Sequence, residues 1–257
     1  MSIALIGSGA IASYVRAHLA SAGLPVAAII VRPGKESNDE TPAVSSVADL
    51  PKGIDMLIDC AGHEALRTHG IEALRTGIDV VTVSIGALAD AALETEVVNA
   101  AQYGGAVLHL ASGAIGALDA LRAARIGELH EVTYVGRKPP MGWVGSPAED
   151  KVDLASLQKA TIHFSGSARK ASLAYPKNAN VAAAVALSSL GFDNTTVELI
   201  ADPDASANIH EVRAAGSFGS LTFTISGKSL PDNPKSSALA AMSVVAKILE
   251  DRKPIRF

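Results

Sequence analysis

Near the start of the chain, Gly7, Gly9 and Ala12 stand at fixed spacing in Gly7-Ser8-Gly9-Ala10-Ile11-Ala12. A G-x-G-x-x-A run of this kind fits the pyrophosphate of a dinucleotide. Gly7 permits a tight turn, Gly9 lets the phosphates approach the backbone, and Ala12 lets a helix pack closely on a strand. Ala10 and Ile11 would open that helix, where free N–H groups and the macrodipole attract negative charge. Gly7, Gly9, Ala10 and Ile11 are therefore candidate contacts to NAD or NADP.

A second candidate contact concerns the ribose. An NAD-preferring site places Asp or Glu about 20 residues beyond the glycines, to bind the 2′-hydroxyl. No acidic residue occurs between Ala10 and Lys35, and Arg32, with Lys35 beyond it, follows the apolar run Val26 to Val31. A guanidinium can hold a 2′-phosphate, so the sequence predicts that NADP is accepted and NAD also usable. Ala61 and Gly62 follow the run Ile54 to Cys60 and should border the same cofactor; His63 either lines the nicotinamide pocket or starts the next helix. Cys60 has no nucleophile signature around it and reads as a small buried filler.

These residues need a scaffold, and the first half supplies one. Ile3 to Ile6, Val26 to Val31, Ile54 to Cys60, Asp79 to Ser84 and Ala106 to Leu110 read as buried strands. Helical stretches from Ala12, over Glu64 to Thr76 and over Ala91 to Tyr103 alternate with them. The segment Ser37 to Lys52 is polar, with Pro42 and Pro51, and reads as a short excursion. The alternation predicts a Rossmann-type, doubly wound parallel sheet with right-handed crossovers. A second small-residue turn, Ala111 to Gly116, opens a helix over Ala117 to Arg125.

From Glu131 onward the pattern changes to strands at Glu131 to Pro140, Ala160 to Gly166, Thr195 to Ala201, Ile209 to Ala215 and Ser220 to Ser226. Consecutive strands predict a separate α+β domain with a mostly antiparallel sheet. Ser236 to Asp251 is apolar at helical spacing and is expected to pack back on the first domain. The expected division is thus residues 1–110 with 236–257 for the dinucleotide, and 111–235 for substrate and catalysis.

Composition narrows the alternatives. The 257 residues are 48% hydrophobic and 19% charged, with a net charge of −4, so nothing attracts nucleic acid globally. Aromatics at 4% leave few platforms for stacking bases. No apolar run approaches the roughly 20 residues of a membrane span. The N-terminus lacks a basic leader, and the single cysteine excludes an internal disulfide, which together predict a cytoplasmic protein. Neither paired cysteines nor a close histidine pair suggests a metal.

Several runs in the second half act together as a signature. They are Ser112-Gly113-Ala114-Ile115-Gly116, Lys138-Pro139-Pro140 with Trp143, Phe164-Ser165-Gly166-Ser167-Ala168, Tyr175-Pro176-Lys177-Asn178-Ala179-Asn180-Val181-Ala182, Ala201-Asp202-Pro203 with Asn208 and His210, and Asn233-Pro234-Lys235-Ser236. With the glycine turn, this set resembles the L-aspartate dehydrogenase family over nearly the whole chain. The resemblance implies reversible oxidative deamination of L-aspartate through iminoaspartate to oxaloacetate and ammonia, with NAD or NADP, in a homodimer. It also implies that Ala114 and Asn180 contact the dinucleotide and that His210 is catalytic. Ser236-Ser237 departs from the family's more usual Thr-Ser, without casting doubt on the chemistry.

The residues themselves are compatible with these roles. Asn180 offers donor and acceptor to a carboxamide, although Asn beside a predicted helix over Val181 to Leu190 also suits a cap. An ordinary imidazole pKa of about 6.5 would suit His210 to proton transfer near neutrality. A dicarboxylate substrate needs cationic partners, for which Lys177, Lys235, Arg137 and His163 are the candidates on the motif-bearing loops. Two alternatives keep the fold: an oxidoreductase resembling dihydrodipicolinate reductase or homoserine dehydrogenase, and a dinucleotide sensor without chemistry.

Overall fold

Six short runs of the first half pair as parallel strands in a computed structural model of the chain, which describes residues 1–32, 34, 41–231, 233–250 and 254–255, with Pro234 and Lys235 by backbone alone. The chain divides into two compact units. The first comprises Met1–Ala87, Ala91–Gly113 and Ala240–Phe257, and the second Leu88–Asp90 and Ala114–Leu239.

In the first unit, β1 (Ile3–Ile6), α1 (Ala10–Ser21), β2 (Val26–Ile30), β3 (Ala43–Val44) and β4 (Met56–Asp59) follow one another. A helical stretch then runs through α2 (His63–Ala65), a π-turn over Leu66–Gly70 and α3 (Ile71–Arg75), where the sequence suggested one regular helix. β5 (Asp79–Thr82), a 3-10 turn over Ile85–Ala89, α4 (Ala91–Gly104) and β6 (Leu108–Leu110) complete the alternation. The strand order is β3-β2-β1-β4-β5-β6, the doubly wound arrangement, with its reversal between β1 and β4. Every residue of β1 and β4 is buried, as a parallel sheet covered on both faces requires. Ala12, Val15 and Leu19 put the apolar stripe of α1 into this core.

The second unit begins with α5 (Leu118–Ala124), reached through Ala117 in a left-handed conformation (φ 59°). β7 (Leu129–Lys138), β8 (Thr161–Ser167), α6 (Ala168–Ala174), α7 (Asn180–Leu187), β9 (Thr196–Ala201), β10 (Asn208–Gly216) and β11 (Gly219–Gly227) follow. The sheet order is β11-β10-β7-β9-β8. It is mixed: β7 and β9 run parallel, whereas the other pairings are antiparallel. Residues 181–186 of α7 are all buried, which identifies a central helix rather than a surface one. Two features lay outside the sequence reading: α6, whose start is capped by the Ser167 side chain, and the hairpin β12 (Ser229–Leu230) with β13 (Asn233–Ser237).

The last helix, α8 (Ala238–Glu250), sends Val244, Val245 and Ile248 into the core of the first unit, beside Ile3, Leu5, Ile29 and Ile58. Burying such side chains is worth about 1.5–3 kcal/mol each.

Candidate active site

The rim of the parallel sheet is set by two glycines. Gly7 has φ +98°, and a Cβ there would lie 3.1 Å from the Ala61 Cβ, so the β1 turn and the loop after β4 meet only because residue 7 has no side chain. Around Gly9 the space is open: a Cβ would meet no described atom within 4 Å. Gly9 is also the cap position of α1, and no side chain caps the helix. The first N–H groups of α1, at Ala10 and Ile11, therefore face an open surface without a capping acceptor, which fits a diphosphate. Ala61 and Gly62 follow the end of β4 at Asp59 and so lie on this rim; Ala61 is exposed and Gly62 has φ +100°. His63 opens α2 and is half-buried; Arg32 is exposed just beyond β2. Lys35 lies outside the described residues.

Asp59, which sequence reasoning passed over, organises the same edge. Its carboxyl is fully buried and accepts hydrogen bonds from Thr82 Oγ1 at 2.7 Å and the Ala61 N–H at 2.9 Å. Burial pushes its pKa up against those hydrogen bonds. The available signal was a carboxylate ending the apolar run Met56-Leu57-Ile58. Burial, then the Asp59 charge, push the neighbouring Cys60 thiol up, so Cys60 is a poor nucleophile.

In the second unit, alternation along β7 sends Val132, Tyr134, Gly136 and Lys138 to one buried face. On β10 the buried partners are His210, Val212 and Ala214, and register places His210 opposite Gly136. Tyr134 reaches across Gly136 so that its hydroxyl meets His210 Nδ1 at 2.7 Å. A Cβ at residue 136 would lie 2.8 Å from that hydroxyl and 3.2 Å from Leu199 Cδ2. His210 is only 5% exposed, and Nε2 makes no hydrogen bond among the described residues. Burial, and after it the Lys138 charge, lower its pKa to about 4. The ordinary imidazole value expected from sequence is thus corrected: at neutral pH His210 is an uncharged base.

His163 sits in a β-bulge. Ile162 pairs with Ile200 and Phe164 with Leu199, which leaves His163 as the extra residue, turned inward. Its ring meets Trp143 edge-on at 4.4 Å, Nδ1 lies 3.3 Å from the Tyr175 hydroxyl, and buried Nε2 has no partner. Burial and Lys138 lower this imidazole to about 4 as well. Both histidines are buried neutral, so they favour the folded state above an unfolded pKa of about 6.5, and that contribution is lost as pH falls towards about 4.

The other expected site residues are distributed unevenly. Lys177 is exposed and lines a cavity of about 830 Å³ with Lys138 and Asn178. Arg137 is committed elsewhere, donating to Asp202 Oδ2 at 2.6 Å and holding that carboxyl below the usual range. Lys235 lies in β13, and its side chain is outside the described residues. Ala114 is buried just after Gly113, which has φ +71°. Asn180 is the first residue of α7, not a loop residue before it, and Ala179 takes the cap position. Sequence reasoning missed Lys138 as a site residue. The signal was its place on the buried face of β7, two residues beyond Gly136 and four beyond Tyr134.

The doubly wound order and uncapped glycine turn give the first unit a Rossmann-type, dinucleotide-binding fold, and residues 7–111 match the family model for the homoserine dehydrogenase NAD binding domain. The second unit is more specific: residues 119–250 match the model described as aspartate dehydrogenase, C-terminal. The L-aspartate dehydrogenase of Ruegeria pomeroyi is 54% identical over 99% of this chain and 94% of its own length. That of Cupriavidus taiwanensis is 45% identical over 95% of each chain. The crystal structure of aspartate dehydrogenase from Thermotoga maritima superposes with a TM-score of 0.76 at 25% identity, covering 100% of this chain and 99% of that one. The chain belongs to the L-aspartate dehydrogenase family. No helix among the described residues is long and apolar enough to cross a membrane.

Proposed function

We infer that this protein is an NAD(P)-dependent L-aspartate dehydrogenase. The observation that carries this reading is 54% identity over both units to a relative of that activity. The net reaction takes L-aspartate, oxidised dinucleotide and water to oxaloacetate, ammonium, reduced dinucleotide and a proton. The bound dinucleotide supplies the hydride acceptor. The α1 N–H groups would hold its pyrophosphate, and the family resemblance adds Ala114 and the Asn180 amide as expected contacts. His210, neutral at the working pH, takes a proton from water attacking the imine carbon and returns it to the departing ammonia. Purified protein is expected to consume NADPH or NADH with oxaloacetate and ammonia; no consumption across pH 7–10 would remove the assignment.

For the choice of dinucleotide, exposed Arg32 beyond β2 and the absence of an acid between Ala10 and Lys35 favour acceptance of NADP. The variant Arg32→Ala is expected to raise KM for NADP about 10- to 100-fold and leave that for NAD unchanged. Equal kinetics for variant and parent with both dinucleotides would dismiss the idea. The assembly is read as a homodimer and the setting as cytoplasmic, the latter supported by the single cysteine.

A further inference from the structure

We propose that Lys138 is the substrate-binding residue that receives a carboxylate of the dicarboxylic substrate, its ammonium being buried without a counter-ion so that the ligand completes the pair. The proposal rests on the dehydrogenase reading above.

Lys138 closes β7 and is 9% exposed. Its stem runs against Gly142, where a Cβ would lie 3.3 Å from Lys138 Cβ and 3.4 Å from Cδ. Its head stands 4.8 Å from the centre of the Trp143 ring. One acceptor reaches it, Asn178 Oδ1 at 2.8 Å, and no carboxylate pairs with it among the described residues. An ammonium has three donors, and a buried charge is normally paired. The ring face and one amide oxygen compensate only part of that cost.

The surroundings have the matching character. The cavity that Lys138 lines also includes Lys177, Lys228, Asn178, Asn208 and Ser206, and no Asp or Glu. Edge-on to the Trp143 ring and outside the cavity lining, His163 holds a buried ring nitrogen, Nε2, without a partner. In the tautomer whose Nδ1 accepts from the Tyr175 hydroxyl, Nε2 carries the ring proton and can donate. Arg137, next in the chain, is excluded because it already holds Asp202.

Occupation of Lys138 also acts on the catalytic histidine. The same ammonium depresses the His210 imidazole, so a carboxylate that neutralises it raises the basicity of His210 when substrate is present. Burial lowers the Lys138 pKa to about 8, so the anchor discharges just above neutrality. Of the other groups facing it, His163 and His210 are already neutral there, burial pushes Tyr134 and Tyr175 up, Asp202 is paired with Arg137, and Lys177 and Lys228 are exposed.

Succinate, a dicarboxylate without an amine, tests the assignment by calorimetry on the wild-type protein and on Lys138→Met. Wild-type affinity is expected to fall about tenfold per pH unit above about 8. The variant is expected to bind succinate about 10- to 100-fold more weakly at pH 7 and to raise KM for aspartate similarly, with dinucleotide affinity unchanged. Wild-type affinity that stays flat from pH 7 to 10, a result that needs no variant, would overturn the proposal. So would a folded variant with unaltered KM. If the wild type binds succinate through Lys138 yet does not oxidise aspartate, the dehydrogenase reading fails while the anion site stands.

Discussion

Replacing His210 with Asn is expected to lower turnover by about 10²- to 10⁴-fold while dinucleotide affinity holds. The size follows from what asparagine cannot do. Its amide has no basic nitrogen, so the water attacking the imine would have to lose its proton to solvent. The site also gives the imidazole one orientation: with Nδ1–H donating to the Tyr134 hydroxyl oxygen at 2.7 Å, Nε2 keeps the lone pair that takes the proton and has no partner among the described residues. Because burial and Lys138 hold the imidazole near 4, the acid limb of kcat/KM for the free enzyme should fall below about pH 5, not near 6.5. Steady-state kinetics with a direct dinucleotide titration separates binding from turnover. Unchanged kcat in a folded His210→Asn protein would end the proton-transfer role.

The second large effect is on stability. Trp143→Ala should cost about 3–5 kcal/mol, out of the roughly 5–15 kcal/mol that holds a domain folded. Trp143 is fully buried, and its indole N–H donates to the Ile200 carbonyl at 3.0 Å. Removing the ring opens a cavity between β9 and the 3-10 turn at Pro140–Trp143, and leaves that carbonyl without its donor. It also removes the face above which Lys138 stands and the wall against which His163 and Tyr175 pack. Trp143→Phe should cost less, because an aromatic ring remains and only the N–H is lost. Urea unfolding of both variants reads the difference, and a loss below about 1 kcal/mol for Trp143→Ala would contradict this account of the packing.

The parallel sheet was legible in the sequence because its strands are buried on both faces and read as continuous apolar runs. The glycine turn was legible because its spacing reflects backbone geometry within six residues. The second site was less so, because its members meet only through the sheet. Arg137 and Lys138 are adjacent and chemically alike, yet alternation sends one to Asp202 and buries the other. His163 was singled out as a cation, but the bulge that turns it inward and the Lys138 charge keep it neutral. The depressed pKa of His210 arises from burial and from a lysine distant in sequence, and no local pattern encodes either. Helix α6 was missed because its seven residues, Ala168–Ala174, are too few to establish a helical period.

The absence of a side chain at Gly136 has nothing to do with backbone freedom, since that residue is not among those with positive φ. What it provides is clearance for a tyrosine hydroxyl. The arrangement Tyr-x-Gly-x-Lys, with each member two positions from the next, is therefore a compact marker for this half of the molecule. Chains that keep the marker should retain a restrained imidazole and a buried cation together, however far the rest of their sequence has drifted.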